Sequence, residues 1–341
     1  MRHRGDRFHV QTLPLLPMTG LTDAQVAEFN FEGFLIVRDY LNPAEDLNPI
    51  IREYEGVLDR LAQALFARSE ISSTHADKDF SERLIQVCQE SGKVQAQWFD
   101  FSLPQKNIKA DTPIWTGQAV FNALRHPRIL DAIESLIGPE IYSNPVQHAR
   151  LKLPEQRGVQ DEAGQLVQGA TPWHQDNGVV LPEADETDMI TVWFSLWDAP
   201  IESGCLQLIP RSHHRGLVDH CPLGAAGAGI PAKLIKQEEA IPVPMKAGDV
   251  LFLHRRMCHA SLSNHSNRVR WSFDLRYNPI GQDTGRKSFP GFVARSRAHP
   301  ETELHDGERW AESWFETRRR IASRGDETFF NRWDEKAEVC A

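Results

Sequence analysis

The 341-residue sequence is poor in cysteine: Cys88, Cys205, Cys221, Cys258 and Cys340 are odd in number and form no CxxC pair. This spacing indicates neither a disulfide framework nor a zinc ribbon, and it suits a reducing, cytoplasmic setting. No apolar run approaches the ~20 residues of a membrane span. The basic start MRHRGDRFHV lacks the apolar stretch of a secretory signal. Positive charge is not in excess either. With 38 Lys+Arg against 47 Asp+Glu the net charge is −9, spread without long runs. A phosphate backbone calls for a basic stripe, so nucleic acid is set aside and a small-molecule substrate is expected. Internal repeats and low-complexity segments are also absent, and nothing in the sequence fixes an oligomeric state.

What is present changes texture along the chain. Length alone suggests about two domains of ~150 residues, although barrel folds commonly run longer as one unit. Residues 1–20 read as a loosely ordered start. In LTDAQVAEFNFEGFLIVRDYL, Thr22 lies three residues before Gln25, the spacing of a capping box, and Gly33 ends the helical pattern ahead of a short strand. Asn42-Pro43 opens a helix through about Leu65, with apolar positions Ile51, Tyr54, Val57, Leu58, Leu61 and Leu65. The stretch from Arg68 to Lys109 carries no clear pattern, and a single helix is expected from about Thr116 to Ile137.

From Ile141 the pattern becomes short strands between turn residues, as in a sandwich or barrel: VQHARLKL, PWHQD, ITVWFSLWDA, GCLQLIP, DVLFLHRR and RVRWSFDLRY. Arg157 to Ala170, rich in Gly, Gln and acids, is a candidate lid. After Pro279 an irregular stretch leads to a mostly helical tail. Its aromatics, Trp310, Trp314, Phe315, Phe329, Phe330 and Trp333, suit packing onto the main body.

The chemistry concentrates in TPWHQDNGVV. His174 and Asp176 stand two apart just before the turn signal Asn177-Gly178, so an extended backbone would turn both to one side. A third ligand must come from another strand, and His259 is the candidate, with His254 as its competitor. Two histidines and one carboxylate leave open positions on an octahedral metal, which suits non-heme Fe(II) better than tetrahedral zinc. Alternation in the last strand sets Val269, Trp271, Phe273, Leu275 and Tyr277 against Arg268, Arg270, Ser272, Asp274 and Arg276. If the polar face lines a barrel mouth, Arg270 is a natural fork for a carboxylate, and Ser261 can add a hydroxyl.

Trp193, grouped with Thr191, Ser195 and Trp197, either walls the metal pocket or is core. Gln147, His148 and Arg150 precede the lid, where one of them can touch substrate or co-substrate. His213, His214 and Arg215 either recognise an anion or form a solvated turn.

The H-x-D at 174 to 176, the distal His259, Ser261 two residues on, Arg270 eleven residues on, the GCLQLIPRSHHRG block and the N-terminal segment together resemble the phytanoyl-CoA dioxygenase family. The resemblance covers roughly residues 21 to 280. It implies a mainly β, α+β fold: a double-stranded β-helix (jelly-roll, cupin-like) core at 141–280, helices at 21–140, and a C-terminal helical extension at 281–341. It implies an enzyme with His174, Asp176 and His259 on Fe(II), and with 2-oxoglutarate and O2 as co-substrates. Arg270 then holds the far carboxylate of 2-oxoglutarate, and Ser261, Trp193 and Gln147 belong to the same subsite. Its reaction couples oxidative decarboxylation of 2-oxoglutarate, to succinate and CO2, with hydroxylation of a C–H bond. Halogenating relatives lack the carboxylate ligand, which Asp176 supplies here, so hydroxylation is favoured.

Where the family often has Pro-Gly-Ser-His, this chain has Pro210-Arg211-Ser212-His213. Two alternatives stand beside the hydroxylase: a Lewis-acid hydrolase or isomerase on the same metal, and a non-catalytic protein that binds iron or a 2-oxo acid.

Overall fold

The structure, a computed structural model, describes residues 20–164, 166–223, 227–324 and 332–340. Most of the proposed loose start, together with Phe329 and Phe330, lies outside the described residues. Helix α1 (Asp23–Glu32) begins with the expected capping box: Thr22 Oγ1 accepts the Gln25 N–H at 3.3 Å, and Gln25 Oε1 accepts the Thr22 N–H at 2.9 Å. Gly33, left-handed at φ 80°, turns the chain into β1 (Phe34–Val37). Asn42 caps a wide turn over Pro43–Leu47 that runs into α2 (Asn48–Ala67), whose buried face carries Tyr54, Val57, Leu58, Leu61 and Leu65.

Two helical expectations need correction. The stretch from Arg68 to Lys109 contains α3 (Phe80–Ser91), N-capped by Asp79 and closed by a left-handed Gly92. The single helix expected at 116–137 is two, α4 (Gln118–Leu124) and α5 (Pro127–Ile137). Pro127 has no N–H with which to continue α4, and its fixed φ suits the first turn of α5.

The strands that follow are β2 (Glu140–Ser143), β3 (His148–Lys152), β4 (Ile190–Ser195), β5 (Leu206–Leu208), β6 (Cys221–Pro222) and β7 (Ala228–Gly229). Then come β8 (Ile241–Val243), β9 (Val250–His254), β10 (His259–Ser261), β11 (Arg270–Pro279) and β12 (Phe292–Ser296), before α6 (Gly307–Arg324). A seven-stranded sheet runs β1-β9-β4-β11-β2-β12 with β3 also on β11, and a three-stranded sheet runs β10-β5-β8. All of these pairs are antiparallel.

Alternation gives the large sheet two different faces. Ile190, Val192, Phe194, Trp271, Phe273, Leu275 and Tyr277 pack against Tyr54, Leu58 and Leu61 of α2 and Trp310 and Trp314 of α6. Trp271 stacks on Phe80 of α3 at 4.6 Å. The opposite face puts Trp193, Leu251 and Leu253 against Leu206, Leu208 and Val243 of the small sheet. Two antiparallel sheets face to face, with helices over the outside of one, form the expected double-stranded β-helix.

Three strand-level differences have local causes. PWHQD makes only one bridge, His174 with His259, because the chain turns at Asp176. Trp197 lies beyond the end of β4 and packs with Phe80 and Trp271 on the helix side, not with Trp193. The stretch read as irregular after Pro279 contains β12, an edge strand paired with β2, so residues 281–341 are not helical alone.

The expectation about cysteine is also corrected. Cys221 and Cys340 form a disulfide across 119 residues, a separation that no local spacing motif marks. Cys88, Cys205 and Cys258 are free and buried. The argument for a reducing setting rested on the absence of a disulfide and loses that support. No helix among the described residues is long and apolar enough to cross a membrane.

Candidate metal centre

The bridge between residues 174 and 259 is backbone to backbone, with N–H···O distances of 2.9 and 3.0 Å in the two directions. It brings the two imidazoles to a centroid separation of 4.2 Å. Gln175 is extended (φ −114°, ψ 143°), so Asp176 returns to the face of His174, as alternation requires. Donor atoms of His174, Asp176 and His259 all lie within 4.8 Å of one another, and all three residues are buried.

Both rings are held in the orientation a metal needs. His174 Nδ1 lies 2.9 Å from the Pro172 carbonyl and His259 Nδ1 lies 3.0 Å from that of Met257. A carbonyl can only accept, so each Nδ1 carries a proton and Nε2 is the atom each ring has for a metal. Burial, then the neighbouring His259, brings His174 down to about 3, so it is neutral at ordinary pH. Burial alone would raise the Asp176 carboxyl, but the Arg276 guanidinium and the two histidines hold it well below the usual range. Two imidazoles and one carboxylate match the donor set of a divalent iron centre.

The same cavity continues to a cationic end. Trp193, Arg270 and Ala260 line it with His174 and His259, and the Arg270 guanidinium lies 5.8 Å over the Trp193 ring. Lys152 faces Arg270 across the β3–β11 register, and its Nζ donates to Ser261 Oγ at 2.5 Å and to the Leu262 carbonyl at 2.6 Å. Ser261 Oγ also accepts the Thr171 N–H at 2.7 Å, which leaves its own hydroxyl proton free to donate. Both basic side chains are nearly inaccessible to solvent, and neither makes an ion pair with a carboxylate among the described residues. Burial, then the Arg270 charge, pulls Lys152 down to about 6. Two buried basic groups without a counterion make an acceptor site for an anion.

A profile of the phytanoyl-CoA dioxygenase family matches residues 29–272. The chain belongs to that family. Family members are iron- and 2-oxoglutarate-dependent oxygenases, so this chain is an enzyme of that class. It is 30% identical over 136 residues to a phytanoyl-CoA dioxygenase of Arabidopsis thaliana, covering 39% of this chain and 44% of that protein. That alignment therefore spans under half of the plant protein. To a phytanoyl-CoA dioxygenase domain-containing protein 1 of Danio rerio it is 26% identical over 270 residues, covering 74% of this chain and 88% of the other. Among solved structures, the apo form of the non-heme monooxygenase ThoJ superposes with a TM-score of 0.54 at 18% identity. This match covers 89% of this chain and all of that one, and it shows a shared fold.

Some residues expected at the family's site lie elsewhere. His254 ends β9 beside Phe29 and His213, and its Nδ1 accepts the Arg256 N–H at 3.1 Å; it stands apart from the triad as a half-buried histidine. His213 and His214 reach the carbonyls of Asn30 and Phe31 at 3.1 and 3.2 Å, closing the end of α1 and not facing a substrate. Arg211 holds the left-handed φ of 61° at the position where the family often has glycine, so the turn survives and Ser212 stays buried. Gln147 is buried ahead of β3, and its Oε1 has no hydrogen-bond partner. Arg268 points outward over the Trp197 ring at 5.1 Å.

Other residues matter more than their sequence suggested. Arg276, read only as part of the polar face of the last strand, pairs with Asp176 Oδ1 and donates to the Val146 carbonyl at 2.7 Å, while Thr191 Oγ1 donates to Asp176 Oδ2 at 2.5 Å. Arg150 pairs with Asp274 Oδ2, both line the cavity, and Asp274 Oδ1 is buried without a partner. His220 Nε2 accepts the N–H of Gln175, the residue between the two H-x-D ligand candidates, at 3.0 Å. Alternation identifies the face of Arg276 and Asp274, but only the tertiary placement of β3 and of the 176–179 turn identifies their partners.

Gly178 leaves no room beside the His220 ring for a Cβ. Gly178→Ala is therefore expected to destabilise the protein by about 1–3 kcal/mol. A lowered thermal midpoint would show it, and an unchanged one would count against this close packing.

Proposed function

We propose that the protein hydroxylates an unactivated C–H bond of a small polar or anionic molecule, with 2-oxoglutarate consumed to succinate and CO2. His174, Asp176 and His259 are the proposed iron ligands. One observation carries the reading: His174 and His259 of the triad line the same buried cavity as Arg270, which makes no ion pair among the described residues and stands opposite the buried Lys152 in the β3–β11 register. A dicarboxylate with a 2-oxo group has chelating oxygens for one end and a free carboxylate for the other. Bound iron would supply oxygen activation.

The chain's own residues supply position. Arg270 offers a planar fork to the far carboxylate, Ser261 a hydroxyl donor and Lys152 a third contact. Trp193 walls the cavity and helps exclude water. Arg150 and Asp274 present a donor and an unpaired acceptor beside the triad, which supports a substrate with polar groups of both kinds. The Lewis-acid reading assigns no task to the basic pair. The catalytic unit proposed at 21–280 takes β12 of the 281–341 extension as part of its sheet.

Lys152 gives a direct test. With its pKa near 6 it is largely uncharged at pH 7.5, and a carboxylate beside it would raise that value. Binding of 2-oxoglutarate above pH 6 should then take up a proton, and affinity should fall as pH rises. Calorimetry of iron-loaded protein under anaerobic conditions, in two buffers of different ionisation enthalpy, reads this uptake directly. Lys152→Met is expected to lose the uptake and weaken binding about tenfold, one charged hydrogen bond at roughly 1.5 kcal/mol. Equal proton uptake in both proteins would remove Lys152 from the subsite.

A further inference from the structure

The C-terminal segment 332–340 lies against the turn that carries Asp176, and specific contacts fasten it. Arg332 forms a two-pronged ion pair with Asp185, one contact at 2.8 Å. Trp333 stacks on His220 with ring centroids 5.1 Å apart and planes 20° from parallel, and its Nε1–H donates to the Gly178 carbonyl at 2.6 Å. Lys233 Nζ donates to the Glu338 carbonyl at 3.3 Å. The last tie is covalent, Cys340 to Cys221, the residue after His220.

His220 is the middle of the chain of contacts. Its Nδ1–H donates to the Val218 carbonyl at 2.9 Å, which leaves Nε2 to accept the Gln175 N–H. The Gln175 side chain closes the arrangement, donating to the carbonyls of Gly216 and Arg256 and accepting the Val218 N–H at 2.8 Å. The terminal segment thus presses one face of His220 while His220 holds the backbone between His174 and Asp176.

We propose that Cys221–Cys340 is a redox-controlled fastening of this strap, and that its state sets how firmly the 174–179 turn is held. A dithiol reductant opens it by thiol–disulfide exchange. Two electrons and two protons pass from the dithiol to the cystine, which becomes two free thiols, and the reductant becomes a cyclic disulfide. The released strap keeps its ion pair and its stacking but loses the covalent closure of a 119-residue loop, which the cross-link holds at no further entropic cost. A strap that opens locally exposes Trp333 and His220 and frees the Gln175 N–H. The consequence for metal retention rests on the reading of His174 and Asp176 as ligands; the strap itself does not.

The test uses the full chain free of metal. Thiol titration after denaturation is expected to count three thiols, Cys88, Cys205 and Cys258, in oxidised protein and all five after dithiothreitol. Amide exchange over residues 174–179 should rise at least tenfold on reduction, while β11 stays protected. Cys340→Ser should reproduce the reduced state without reductant, and Trp333→Ala should speed the same amides with the disulfide intact, so that misfolding of one variant does not decide the outcome. Five thiols in air-purified protein, or equal exchange in oxidised and reduced forms, overturns the proposal. Binding of Ni(II) to the oxidised protein is measured alongside: its absence would fault the ligand assignment and leave the strap standing, whereas faster Ni(II) loss after reduction connects the two.

Discussion

Replacing Asp176 by alanine is expected to abolish iron retention and turnover and to lower stability by about 3–5 kcal/mol. The first loss follows from removing one of three proposed ligands and the only anionic one. The second follows from what remains. Arg276, fully enclosed, loses its ion-pair partner and is left with a hydrogen bond to the Val146 carbonyl and with the Asp274 carboxylate, which is already paired with Arg150. The paired variant Asp176→Ala/Arg276→Met separates these effects, because it removes both charges and keeps the volume of one. Most of the stability should return in denaturant unfolding, and no activity should return with it. Full turnover in Asp176→Ala would remove that residue from the site.

The ion pair also fixes a pH dependence with a definite sign. The folded-state carboxyl of Asp176 lies below its unfolded value, so its stabilisation is complete above the unfolded value near 4 and is lost as pH falls further. Acid unfolding of the wild type should consequently be steeper below pH 4 than that of the paired variant.

Arg270→Met is the second large effect. Arg270 is buried, contributes its fork to the cavity and hydrogen-bonds Ser272 within its own strand. Loss of two charge-assisted hydrogen bonds to the far carboxylate removes about 3 kcal/mol, or roughly a 100-fold rise in the 2-oxoglutarate requirement. Iron retention should be unchanged, since no atom of Arg270 belongs to the triad. Steady-state kinetics over a wide range of 2-oxoglutarate checks this, and an unaltered KM would leave Lys152 as the sole anchor.

How much of this was legible in the sequence depends on the range of the interaction. Alternation is local, and it correctly sorted β11 into an apolar face of Trp271, Phe273, Leu275 and Tyr277 and a polar face of Arg270, Ser272, Asp274 and Arg276. The capping box at Thr22 and the side shared by His174 and Asp176 are equally local. The family resemblance supplied His259 over His254, a choice that spacing alone left open. Contacts between distant strands were out of reach: Arg276 with Asp176 is a pair 100 residues apart, and Lys152 with Ser261 is 109 apart.

Edges and interruptions were the other source of error. Trp197 continues the period of β4 on paper, but the strand ends at Ser195 and the ring turns to the helices. Pro127 splits what apolar periodicity joins. Cys221 and Cys340 have no local signature, because their pairing depends on where the terminal segment packs and on nothing near either residue in sequence.

The central claim is that metal and 2-oxoglutarate share one site with Arg270 at its far end. An anaerobic titration of Fe(II)-loaded protein with 2-oxoglutarate, followed by the weak visible absorption of a metal-chelated 2-oxo acid, tests it most directly. The account predicts a saturable band in the wild type and the same band in Arg270→Met at roughly 100-fold higher 2-oxoglutarate. No band in folded, iron-loaded wild-type protein would contradict it.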